Sequence, residues 1–120
     1  MIEKAKYSKE KGEQLVNDLN ENLIVDLKNL GDLGDYILEF GFGEVFQREN
    51  LSLREKEIST LSILISQGRE AQIEYHFNIA LRIGMNWKEL EDIIIQTSLY
   101  SGFPTAMIAM KILNKLKRNA

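Results

Sequence analysis

A single proline, Pro104, interrupts 120 residues in which apolar side chains recur every three or four positions. That repeat is the period of one helix face. Glycines fall between the periodic segments, where they act as stops and turns. The chain is therefore read as all-α, with about six helices joined by short connections, and as one domain over residues 1–120.

The segments can be placed individually. Residues 8–30 carry Leu15, Leu19, Leu23, Leu27 and Leu30 on one face, followed by Gly31 and Gly34. Residues 33–47 carry Tyr36, Ile37, Phe40 and Phe46. Gly41 and Gly43 inside this segment each cost about 1 kcal/mol relative to alanine. They mark places where another element or a ligand can approach the backbone closely. In "SLRE", Ser52 stands three residues before Glu55, a capping box that opens a third helix through Ile58, Leu61, Leu64 and Ile65 to Gly68. A fourth helix spans roughly 69–83 and stops at Gly84. Asn86 and Glu89 repeat the start signal for a fifth, which carries Leu90, Ile93 and Ile94. "SGFP" breaks that helix, and Pro104 suits the first turn of a sixth, which ends in the basic "KLKRNA".

Composition removes several function classes. The net charge of -3 offers no basic excess, so nucleic acid is not an expected partner. The absence of cysteine excludes disulfides, thiol catalysis and thiolate metal sites. With one histidine, a zinc site would need mostly carboxylates, so no metal is expected. The N-terminal "MIEKAKYSKEKGE" has no apolar signal core and no apolar run approaches a membrane span, so a cytoplasmic protein without membrane contact is expected.

Two ionisable residues fall on apolar stripes instead of wet faces. Ile73, His76, Phe77, Ala80 and Ile83 fall at spacings of three and four from one another along one helix face. Glu57 precedes Leu61 and Leu64 by four and seven residues. The two helices meet at Gly68, which implies an antiparallel hairpin. Glu57 lies eleven residues before Gly68 and His76 eight after it. At about 1.5 Å of rise per residue, they stand within roughly one turn of the same level. A carboxylate and an imidazole can thus meet between the helices, and such a pair can perform acid–base chemistry. A hydrogen-bonded core histidine, and an acid near a helix start, would produce the same pattern. Spacing leaves both open. Glu39, taken alone, reads as a surface acid on an aromatic-rich helix.

An ordered set of short motifs adds to this. Glu39-Phe40-Gly41-Phe42-Gly43 is followed by Leu51 and Arg54, then by the helix from His76 to Gly84, then by Trp87 to Glu89 and Tyr100 to Pro104. In that order they resemble the carboxymuconolactone decarboxylase family over about residues 10–116. The resemblance implies an alkylhydroperoxidase D-like helical fold. It also implies a homo-oligomer, a trimer or a hexameric trimer of dimers. One branch of the family decarboxylates 4-carboxymuconolactone without a cofactor, in aromatic catabolism. The other reduces peroxides or disulfides through a Cys-x-x-Cys motif seven and four residues before the histidine. Here those positions hold Arg69 and Gln72, so thiol peroxidase activity is not expected. The relay glutamate of that branch precedes the histidine by nineteen residues, which is Glu57 here.

The resemblance implies a lyase acting on a small carboxylated lactone or related acid, with no cofactor. His76 would be the acid–base group, since histidine ordinarily titrates near neutral pH. Glu57 or Glu39 would orient it. Arg54 or Arg69 would hold a substrate carboxylate through bidentate hydrogen bonds. Glu74 adds an acid near His76, which should weaken binding of a dianion and opens the substrate to acids other than carboxymuconolactone. The competing reading is a catalytically silent, ligand-binding oligomer of the same family.

Overall fold

The computed structural model describes residues 2–120, and every regular element among them is helical. By its internal contacts the chain divides into two compact units, Met1–Ser52 and Leu53–Ala120.

The first unit contains α1 (Ile2–Leu19), α2 (Glu21–Lys28), α3 (Asp32–Tyr36) and a π-helix (Ile37–Val45). The expected continuous helix over residues 8–30 is therefore two. Asn20 adopts extended backbone and its side chain accepts a hydrogen bond from the Leu23 N–H at 3.1 Å, which starts a new helix. Leu19, Leu23 and Leu27 are buried as the spacing predicts, whereas Leu30 falls past the end of α2 and is half exposed. Residues 33–47 also differ from expectation. The π-helix ladder bonds each N–H five residues back, as Phe46 N–H does to the Gly41 carbonyl at 2.9 Å. The longer turn shifts the buried face to Leu38, Phe42 and Gly43 and leaves Tyr36 and Phe40 exposed. The glycines here serve close packing. A Cβ on Gly12 of α1 would strike the Leu38 carbonyl, and one on Gly43 would strike the Ser8 carbonyl.

The second unit contains α4 (Leu53–Gln67), α5 (Glu70–Arg82), α6 (Trp87–Ser101) and α7 (Phe103–Arg118). Gly68, Gly84 and Gly102 connect them at φ of 65°, 103° and 92°, where a side chain would be strained. Asn86 and Glu89 form the full reciprocal capping box that opens α6. Pro104 sits in the first turn of α7, where a missing N–H costs nothing. Leu61, Ile65, Ile73, Phe77, Leu90, Ile94 and Leu113 are almost wholly buried, drawn from all four helices. Each such side chain contributes about 1.5–3 kcal/mol by leaving water. That core fixes the α4–α5 hairpin on which the candidate site is built. Among the described residues, no helix is long and apolar enough to cross a membrane.

Candidate active site

Glu57 and His76 meet inside the second unit. His76 Nδ1 lies 2.9 Å from Glu57 Oε2. Glu57 is fully buried and His76 is 5% exposed. Their neighbours along each helix explain the burial: Glu57 is one turn before Leu61, and His76 lies between Ile73 and Ala80, all three of these apolar residues being core. The apolar stripe of each helix thus carries one polar group inward.

An ionised carboxylate can only accept, so with Glu57 ionised Nδ1 carries the proton and donates it to Oε2. A neutral ring then has its lone pair on Nε2, directed away from Glu57. The second carboxylate oxygen, Oε1, is buried and has no hydrogen-bond partner among the described residues. A buried polar atom left unpaired costs about 1–3 kcal/mol. Replacing a buried ion pair by apolar residues of similar volume is commonly neutral or stabilising. Stability alone therefore gives little reason for this pair.

The remaining expected site residues are placed as follows. Of the two glutamates considered as partners for His76, Glu57 makes the contact. Glu39 lies on the π-helix of the first unit and is half-buried. Its charge, with that of Glu13, adds to the field that raises the Lys9 pKa, after the larger effects of the hydrogen bond and charge of Asp35. Arg54 stands one turn before Glu57 on α4 and forms an ion pair with Glu89. Arg69 is the N-cap residue of α5, exposed, with its Nε donating to the Gln67 side chain at 3.4 Å. Gln72 precedes His76 by four residues and so lies on its side of α5, while Arg69 stands just before the helix, seven residues ahead of His76.

Sequence reasoning identified Glu89 only as a capping residue. Its second role was legible in part, because a capping box uses one carboxylate oxygen and leaves the other for a cation. An open cleft of about 410 Å³ between α4 and α6 was not anticipated. It is lined in part by Ser62, Ser66, Thr97 and Ser101, whose hydroxyls all donate to backbone carbonyls of their own helices, and it does not include the Glu57–His76 pair. Two side chains, Glu57 and His76, could contribute to holding a metal. No group of three or more His, Cys, Asp or Glu side chains able to do so is found among the described residues.

Comparison with known proteins bears on what this arrangement is for. The model of the carboxymuconolactone decarboxylase family matches residues 31–115. The 4-carboxymuconolactone decarboxylase of Acinetobacter baylyi is 33% identical over 99 residues, which is 82% of this chain and 72% of that protein. The nitrosuccinic acid decarboxylase of Metarhizium robertsii is 26% identical over 81 residues, 68% of this chain and 57% of its own length. An uncharacterized 15.0 kDa protein of Paracoccus denitrificans is 30% identical over 78 residues, 63% of this chain and 58% of its own length.

Proposed function

The chain belongs to the carboxymuconolactone decarboxylase family, and from that premise we propose that it is a lyase releasing carbon dioxide from a small carboxylated lactone or related acid. The observation that carries this reading is the buried 2.9 Å contact between His76 Nδ1 and Glu57 Oε2. In the proposed step the bond between the carboxylate carbon and the ring breaks heterolytically. Carbon dioxide leaves, and the electron pair passes into the lactone system as an enolate. His76, protonated, delivers a proton from Nε2 to carbon and is reprotonated from water. Glu57 holds the ring through Nδ1 and balances the imidazolium charge. This is general acid catalysis in a site from which most water is excluded. Neither step calls on a cofactor.

The proposal extends to assembly and setting. Ile95, Leu99, Tyr100, Phe103 and Met107 are exposed along α6 and α7, an apolar surface that supports a homo-oligomer, as a trimer or trimer of dimers. A cytoplasmic setting and a role in aromatic catabolism are part of the same proposal.

The test is release of carbon dioxide from 4-carboxymuconolactone and related lactone acids by the wild-type chain and by His76→Gln. Glutamine can still donate to Glu57, so the fold should hold. Turnover should fall by about 10²- to 10⁴-fold. A variant that keeps wild-type turnover makes His76 structural and sinks the mechanism. Lactone binding without any carbon dioxide release identifies a binding protein instead.

A further inference from the structure

One of the two arginines expected to read the substrate is already engaged. Arg54 is ion-paired with Oε2 of Glu89, while Oε1 of the same glutamate accepts the Asn86 backbone N–H at 3.0 Å. Glu89 is thus held at both oxygens in the first turn of α6. Arg69, in contrast, is bonded to a neutral amide oxygen on Gln67 at 3.4 Å. Because α4 and α5 run antiparallel about Gly68, the two arginines flank the Glu57–His76 pair from opposite ends. Arg54 is three residues, or roughly 4.5 Å of helix rise, to one side, and Arg69 is seven residues, or roughly 10 Å, to the other. The site is therefore electrostatically lopsided, with Arg54 paired to a carboxylate at one end and Arg69 bonded to a neutral amide at the other.

That asymmetry suits the proposed reaction. In the transition state of carbon dioxide loss, negative charge leaves the departing carboxylate and enters the ring. A guanidinium clamped on that carboxylate would stabilise the ground state more than the transition state, which raises the barrier. A guanidinium on a carboxylate that stays has no such effect. We infer that Glu89 is a positioning residue that acts through Arg54: it neutralises Arg54 so that the departing carboxylate is not gripped, and leaves Arg69, with Gln72, to hold a carboxylate that the product keeps. The carboxylate that stays is then bound at the Arg69 end, and the departing one lies beside the Arg54–Glu89 pair without a guanidinium clamped on it. This inference rests on the proposed function for its placement of substrate against His76.

Glu89→Gln tests it, because glutamine preserves the capping box and removes the charge opposite Arg54. Binding is measured by titration calorimetry with two unreactive probes, a saturated γ-lactone bearing one carboxylate and its carboxymethyl derivative bearing two. Glu89→Gln should bind the diacid about 2- to 5-fold more tightly, the range for an exposed ion pair released to a new partner. The monoacid should change by less than the diacid. The gain should vanish when Arg54→Met is added. In turnover of 4-carboxymuconolactone, KM and kcat should both fall. An equal gain for both probes, no gain, no diacid binding by either protein, or a kcat that rises with tighter binding overturns the inference. If neither protein releases carbon dioxide but the diacid gain appears and depends on Arg54, the proposed function fails while the control of Arg54 by Glu89 stands.

Discussion

Two close helix–helix contacts, one in each unit, are built from opposite materials. In the first unit, α1 meets the π-helix with Gly12 under the Leu38 carbonyl and Gly43 under the Ser8 carbonyl, so backbone lies against backbone. In the second, α4 meets α5 through Glu57 and His76, a carboxylate and an imidazole inside an apolar core. The first contact is what close packing alone would select: small residues where helices touch. The second includes a desolvated acid with an unpaired oxygen, which packing would discard. Substitution in the first contact should be read out as stability. In the second, stability and activity should come apart.

The largest effect should come from His76→Leu. Leucine cannot donate to Glu57, so a buried carboxylate is left without its partner, at a cost of about 3–5 kcal/mol. That is a large part of the stability of an ordinary domain. Adding Glu57→Leu should recover most of the loss, since two apolar residues can fill the site without an unpaired charge. The double variant should release no carbon dioxide. Urea denaturation midpoints, read with the decarboxylation assay, check both halves. A double variant as unstable as His76→Leu would mean that the pair holds the fold together, and the contrast between the two contacts would collapse.

Gly43→Ala should come next, at about 1–3 kcal/mol, because its methyl group has to push the Ser8 carbonyl aside. Gly41→Ala in the same π-helix is the matched control. A Cβ there has only the Ile37 side chain in reach, at 3.9 Å, and removing a glycine from a helix is ordinarily favourable. If both substitutions act alike, the first contact is not governed by close approach. The difference between their denaturation midpoints measures that.

The two contacts were not equally legible from the sequence. In the second unit the ordinary 3.6-residue period held throughout, so counting from Gly68 brought Glu57 and His76 to one level, and "NWKE" announced the cap of α6. In the first unit the same counting failed at two places for identifiable reasons. Leucines spaced by four from Leu15 to Leu27 masked the break at Asn20, whose capping role was the available signal. The π-helix turned a different face inward than a 3.6-residue period assigns, so Tyr36 and Phe40 came out exposed and Leu38 and Phe42 buried. Gly41 and Gly43 hinted at close approach, and only Gly43 provides it. Within the site, residue types and levels were readable. The Arg54–Glu89 pair was not, because it joins helices 35 residues apart whose packing no local pattern specifies.

The smallest expected effect sharpens the comparison from the electrostatic side. The first unit has charges too, and Lys9 meets Asp35 at 3.1 Å. That pair is on the surface, where solvent screens it, so Lys9→Met should leave the denaturation midpoint at neutral pH nearly unchanged. Its pH dependence has a definite sign. The hydrogen bond and charge of Asp35 raise the Lys9 pKa above the ordinary 10.5. A group whose pKa is raised by folding binds its proton more tightly in the native state. Its contribution is therefore present below pH 10.5 and is lost as pH climbs through the higher folded value. Melting curves of wild type and Lys9→Met should converge in that alkaline window and differ slightly below it. A separation at neutral pH as large as that of His76→Leu would show that an exposed pair weighs as much as a buried one, and burial would no longer account for the difference between the two units.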